Sequence, residues 1–271
     1  MAVIPPIYLK TVVAIGDPST GTSPSWIATG FLYGHLIDST VSPHMYRIYL
    51  VTNRHVAEPL RPLVVRVNPS DGSPAHSLNL DATDAQGQSL WYFHPDPTVD
   101  VAVTMITVER LRNEGFDFSF FESDTHSQTI QEMVVSGRSV GDGIFLLGFP
   151  GVVDVGVRSS VIARVGCLAR VDDAFSGSSR SFLIDVNNFP GNSGGPVVTQ
   201  VEQTFIDGTQ PILKSHLIGI VASYIYHNRP AAGLQPGQIP PIFQENTGLA
   251  VVFPVDAIRE AINLCESRIN P

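Results

Sequence analysis

The chain is short of cysteine: Cys167 and Cys265 are the only two in 271 residues. A disulfide framework of the kind that staples many secreted domains is therefore excluded, and two free, buried thiols are expected. Charge is also sparse, at 15% of residues, with 25 Asp and Glu against 16 Lys and Arg and a formal net charge of −9. No basic run is present, so nothing resembles a surface built to neutralise phosphates, and no nucleic-acid partner is expected. Long apolar runs are missing too; none approaches the ~18 residues needed to cross a bilayer, and no membrane span is expected. The first ten residues, MAVIPPIYLK, lack a charged start, an apolar run and a small-residue cleavage site. No signal peptide is read there, which makes a cytoplasmic location the default and a periplasmic or secreted one the expectation if a leader has been removed. None of the eight histidines forms H-E-x-x-H and the cysteines are far apart, so no metal and no cofactor is expected.

What the chain has is apolar residues, 43% of the total, punctuated by 23 Gly and 21 Pro. That pattern reads as many short strands joined by turns. Six strands are expected at 7–15, 26–37, 46–52, 63–67, 89–93 and 101–108, and six more at 143–149, 159–171, 181–186, 196–201, 216–224 and 249–254. The fold class is thus all-β, two six-stranded antiparallel barrels. The polar stretch Leu111–Gln131 reads as the connector, with 1–125 as the N-terminal barrel and 126–271 as the C-terminal barrel of one unit. Helical periodicity is nearly confined to the end, where Val255, Ile258, Ile262 and Cys265 form one stripe of a packing helix. Residues 228–246, rich in Pro and Gly, read as a long surface loop.

The most specific segment is Pro190-Gly191-Asn192-Ser193-Gly194-Gly195-Pro196. A serine hydroxyl needs an adjacent base and donors for the oxygen that becomes negative during attack. Glycines let the chain turn tightly enough for the N–H groups of Gly191 and Ser193 to form such an oxyanion hole. A base is offered by His55, at the end of the apolar run Leu50-Val51-Thr52. Histidine, with an unperturbed pKa of ~6.5, can take a proton from serine and return it to a leaving amine. Asp100 precedes the apolar Val101-Ala102-Val103, where a carboxylate needs a partner; the imidazole supplies one. A tight turn with an idle serine, a structural histidine and a turn-closing aspartate are the bland readings of the same residues taken singly.

Together the residues resemble the trypsin-like serine peptidase superfamily, in particular its disulfide-poor bacterial HtrA-type branch, here without a PDZ segment. The chain order His, Asp, Ser matches, Thr29-Gly30-Phe31 looks like the family's small-Gly-Phe strand, and Ile218–Ser223 resembles the strand that pairs with substrate backbone. The resemblance implies a serine endopeptidase with a catalytic triad of His55, Asp100 and Ser193, acting on peptide or unfolded-protein substrates through an acyl-enzyme. It also implies a substrate-binding pocket from Asn187, Asn188 and Phe189 on one side and Ala222, Ser223 and Tyr224 on the other. Asn187 stands where Arg- and Lys-directed relatives carry an aspartate, so uncharged side chains are the expected preference. The G-x-S-x-G pattern also admits an α/β-hydrolase, but there a helix follows the serine and Asp and His come after it. The alternative that stays open is a protease-like module that binds extended peptides without turnover.

Overall fold

The computed structural model describes residues 3–18, 23–151, 156–202, 212–230 and 242–269. Its N-terminal half is one sheet built from Val12–Asp17 (β1), Ser25–Asp38 (β2), Met45–Thr52 (β3), Leu63–Val67 (β4), His76–Leu80 (β5), Tyr92–Phe93 (β6), Ala102–Met105 (β7) and Phe121–Glu122 (β8). The order is β5-β4-β1-β2-β3-β7-β6, with β8 added in parallel to β2. Strand alternation explains why these runs are apolar throughout rather than every second residue. In β3, Ile48 and Leu50 enter a core enclosed by the sheet with Ile15, Leu32, Val65 and Leu78, while Tyr49 and Val51 face the opposite way. That second face packs on Phe145, Leu147, Val198 and Phe253 of the other half, so both sides of the strand are dry.

The C-terminal half is a closed six-stranded barrel of Gly143–Gly148 (β9), Ile162–Arg170 (β10), Phe182–Val186 (β11), Pro196–Thr199 (β12), Leu217–Pro230 (β13) and Ile242–Pro254 (β14), in the order β10-β11-β14-β13-β12-β9. Val255–Ile269 then forms the terminal helix. Its stripe of Val255, Ile258, Ile262 and Cys265 is fully buried in the core shared by the two halves. Polar side chains strap the helix to the N-terminal sheet: Arg259 Nε donates to the Tyr33 hydroxyl at 3.2 Å, His94 Nε2 meets Glu260 at 2.7 Å, and Arg47 and Tyr49 both bond Glu266. An all-β chain of two sheets with a C-terminal helix is consistent with a trypsin-like fold.

Several boundaries differ from the sequence reading. The first half has eight strands rather than six, and among the described residues its pairing path does not close. His76–Leu80 is a strand that the pattern does not announce; only its Leu78 and Leu80 are apolar and buried, too short an alternation to stand out. The strand expected from residue 7 begins as a helical turn, Pro6–Leu9, because proline fits the first helical position. The strand expected to reach 108 ends at Met105, and Val108–Asn113 is a helix capped by Thr107, whose side chain accepts from the Arg110 N–H. Ile130–Val135 is a helix opened by a Thr129–Glu132 capping box, a spacing legible in the sequence. The loop expected over 228–246 is in part strand: Asn228 and Arg229 pair with Gln244 and Phe243. Residues 231–241 of that loop lie outside the described residues. Both cysteines are free, but only Cys265 is buried; Cys167 is partly exposed on β10, where alternation turns it off the barrel core.

Candidate active site

His55 is mounted on the end of a buried strand. β3 stops at Thr52, and Arg54–Ala57 makes a single helical turn whose Val56 and Ala57 sink into the sheet core. The histidine is thereby turned outward, with its side chain 52% exposed. Asp100 lies between Val99 and Val101, both fully buried in the core between the halves. Its two carboxylate oxygens serve one residue: Oδ2 is 2.7 Å from His55 Nδ1, and Oδ1 accepts the His55 backbone N–H at 3.0 Å. Asn53 adds a third fixing, its Nδ2 donating to the Asp100 carbonyl at 2.7 Å. A carboxylate accepts, so Nδ1 carries the hydrogen and Nε2 is left with its lone pair.

Ser193 is held by backbone. In its loop Gly191 has φ +97° and Gly194 φ +86°, left-handed conformations that side chains disfavour. Space excludes other residues as well: a Cβ on Gly194 would stand 2.0 Å from the Thr29 carbonyl oxygen, and one on Gly191 2.5 Å from that of Phe149. The Asn192 N–H donates to Phe189 O at 3.1 Å, Gly195 N–H to Asn192 O at 2.8 Å, and Gly194 N–H to Val221 O at 2.9 Å. The N–H groups of Gly191 and Ser193 have no partner among the described residues. The Ser193 hydroxyl donates to the Ala222 carbonyl at 3.3 Å, and no hydrogen bond joins it to His55.

One residue ties the halves together at this point, although the sequence reading assigns it only a place in a strand motif. Thr29, on β2, donates its N–H to Ser193 O at 2.8 Å and its hydroxyl to Gly191 O at 2.7 Å. The same hydroxyl accepts the Phe149 N–H at 3.0 Å, and the Thr29 carbonyl accepts from Thr52 Oγ1 at 2.9 Å. Through Thr52 the clamp reaches the end of β3, three residues before His55. Thr29, Thr52 and Asn53 are each fully buried. The signal that finds them is a small polar residue inside an otherwise apolar run, which must be hydrogen-bonded to something.

The six residues expected to form a side-chain pocket flank the serine on two sides. Asn187, Asn188 and Phe189 follow β11, and Ala222, Ser223 and Tyr224 lie on β13, joined to the serine loop by the Asn192–Phe189 and Ser193–Ala222 bonds. Asn188 is buried, while Asn187 and Ser223 are exposed. The Phe189 ring lies under the Arg164 guanidinium, 4.8 Å from centroid to carbon, and the Tyr224 ring packs on Tyr226 at 4.5 Å. Asn188 Oδ1 and Asn192 Nδ2 are buried without a hydrogen-bond partner among the described residues. Among those residues no helix is long and apolar enough to cross a membrane, and no three His, Cys, Asp or Glu gather as metal ligands.

No protein-family model and no curated protein sequence matches the chain. Among solved structures it is similar to the apo MamO protease domain of Magnetospirillum magneticum, at 16% identity over 93% of this chain and 95% of that one, with a TM-score of 0.47. It is also similar to two inactive forms of Rv3671c: a serine-to-alanine mutant from M. tuberculosis, at 14% identity over 98% and 92% of the two chains with TM-score 0.46, and the Rv3671c protease, at 14% over 94% and 89% with TM-score 0.44.

Proposed function

We propose that the chain is a serine endopeptidase that hydrolyses peptide bonds through an acyl-enzyme. The observation that carries this reading is the clasp of His55 by both oxygens of Asp100, which leaves Nε2 as an acceptor, on a strand clamped through Thr29 to the loop of Ser193. In this mechanism the Ser193 hydroxyl turns from the Ala222 carbonyl to His55 Nε2 and gives up its proton as Oγ attacks the scissile carbonyl carbon. Catalytic hydrogen bonds are commonly loose before substrate is bound, and turning a serine side chain requires no backbone motion. The N–H groups of Gly191 and Ser193 receive the oxyanion. His55 then protonates the leaving amine, and a water activated by the same nitrogen releases the acid. Asp100 keeps the imidazole in the required tautomer and stabilises it when protonated. With Asn187 exposed and uncharged beside the serine loop, uncharged side chains are favoured before the scissile bond.

A second reading, a peptide-binding module without turnover, is favoured by one observation, the Ser193 hydroxyl bonded to Ala222 rather than to His55. Labelling by a small fluorophosphonate separates the two. The peptidase reading expects labelling of the wild type at Ser193, none in Ser193→Ala with an unchanged circular dichroism spectrum, and a fall in kcat of at least about 10⁴-fold. A folded wild type that binds peptides but is neither labelled nor active leaves the binding module standing.

A further inference from the structure

β13 is much longer than the barrel requires. β12 pairs with it only from Leu217 to Ile220, whereas β14 accompanies it to Pro230. From Ala222 onward, therefore, no strand of the described residues covers its other edge. Two hydrogen bonds show which groups that edge presents. The Ala222 carbonyl faces Ser193, whose hydroxyl it accepts, and the Ile225 carbonyl faces β14, where it accepts from Thr247 Oγ1 at 2.8 Å. The pairing with β14 is irregular between Val221 and Ser223 and again between Tyr224 and Tyr226, so alternation holds only locally: with the Ile225 carbonyl toward β14, those of its neighbours Tyr224 and Tyr226 turn to the open edge, the side of the Ala222 carbonyl. The Tyr224 and Tyr226 rings lie together on one face of the strand, centroids 4.5 Å apart, and Tyr226 is 44% exposed.

An open edge of this kind is a template for an added strand. Continuity fixes its occupant here: the edge starts at the carbonyl beside Ser193, so a chain lying on it antiparallel is the stretch that precedes a bond placed at that serine. We propose that the β13 edge beyond Tyr224 is an extended substrate-binding strand that pairs with the fifth residue before the scissile bond and selects an aromatic or β-branched side chain there through Tyr226. This rests on the reading of Ser193 as nucleophile. The substrate class it implies is an unfolded or extended polypeptide segment, since a folded loop cannot lay five residues along a straight edge. Cross-strand neighbours share a face, which sets the third residue beside Tyr224 and the fifth beside Tyr226.

The test uses uncharged peptidyl diphenyl phosphonates with two, three or five residues before phosphorus, which fix the register by reacting at Ser193. Inactivation should accelerate about tenfold from three residues to five, the worth of one or two strand hydrogen bonds. N-methylation of the fifth residue's amide should abolish that gain, whereas N-methylation of the fourth, whose N–H points away, should leave it. Tyr226→Ser should erase the preference for valine or phenylalanine over serine at the fifth position. Rates independent of length, or equal losses from both methylations, overturn the inference while leaving the nucleophile in place. A dimer that the five-residue phosphonate does not dissociate overturns it too, by assigning the edge to a second copy. Absence of labelling by a small fluorophosphonate removes the nucleophile reading, and this inference with it.

Discussion

The two halves of the molecule hold their shares of the site by different means. In the N-terminal sheet the fixings are side chains: the Asp100 carboxylate spans the ring and the backbone of His55, and the Asn53 amide holds Asp100. In the C-terminal barrel they are backbone groups, a set of N–H and carbonyl pairs around Gly191 to Gly195 that positive φ angles make possible. A side-chain mount is sensitive to chemistry at constant shape. A backbone mount is sensitive to any atom added beyond Cα. Thr29 belongs to both kinds, since its N–H and its hydroxyl each bond the serine loop.

The sharpest test of that contrast is Asp100→Asn, which keeps the shape and changes one donor–acceptor relation. The amide NH₂ turned toward His55 forces the hydrogen to the wrong nitrogen, and kcat should fall about 10⁴-fold with the fold intact. A loss of less than tenfold in steady-state turnover reduces Asp100 to a turn-closing residue.

Thr29→Val asks how far the backbone mount depends on the other half. Valine fills the same space but cannot donate to the Gly191 carbonyl or accept from the Phe149 N–H, leaving two buried groups unpaired. Each such loss costs about 1–3 kcal/mol. The peptide unit between Gly191 and Asn192 then loses its tether, and the adjoining unit that carries the Gly191 N–H, a proposed oxyanion donor, is expected to drift with it. Since a whole donor is worth about 10²–10³-fold, a tenfold to hundredfold fall in kcat is expected with KM little changed. Equal kcat in the two proteins, measured on the same peptide, shows that the loop holds itself.

The parts of this arrangement that were legible in the sequence are those with a strong local rule. Ser193 stood out because several glycines crowd one serine, and the terminal helix because Val255, Ile258, Ile262 and Cys265 repeat at helical spacing. Illegible parts depend on partners far along the chain. Nothing near Thr29 says that its hydroxyl meets Gly191, 162 positions away. Nor does Ile225-Tyr226-His227, next to a Pro- and Gly-rich stretch, announce that the strand expected to stop at 224 runs on to Pro230, because its pairing comes from residues 242–254 and not from its own alternation. The short helices at 54–57 and 172–175 are a single turn each, below the length at which periodicity can be read.

A smaller effect tests how the helix strap joins the two mounts. Burial alone would raise the Glu266 carboxyl, but hydrogen bonds from Tyr49 and Arg47 outweigh it and hold the group below the usual glutamate range. A depressed carboxyl contributes stability that is complete above the unfolded value of ~4.3 and is lost as pH falls from there through the lower folded value. Urea unfolding should therefore show stability declining across that acid window, with a shallower decline in Glu266→Gln. Parallel pH profiles for the two proteins would show that the Glu266 strap adds nothing and leave the attachment to the apolar stripe and the Arg259 and Glu260 contacts.

The smallest expected effect is none, and it separates this serine loop from one that is switched on by a cut. In zymogen-type relatives of the resembled family a freed N-terminal ammonium pairs with an aspartate just before the nucleophile. Here that position is Asn192, 1% exposed and tucked against Gly148, where an added Cβ would meet its Oδ1 at 2.9 Å. An ammonium buried beside a neutral amide would carry a desolvation cost with no opposite charge to offset it. The N-terminal segment has other attachments: the Tyr8 hydroxyl donates to Ser215 O at 2.7 Å and its ring packs on Phe121 at 4.7 Å. The loop's order comes instead from Thr29 and from its own backbone bonds, none of which involves a chain terminus. A protein carrying a blocking N-terminal extension should thus be labelled by fluorophosphonate at the same rate before and after the extension is trimmed. Labelling that appears only on trimming would mean that Asn192 accepts the new terminus after all, and that the backbone mount needs a charge from outside it.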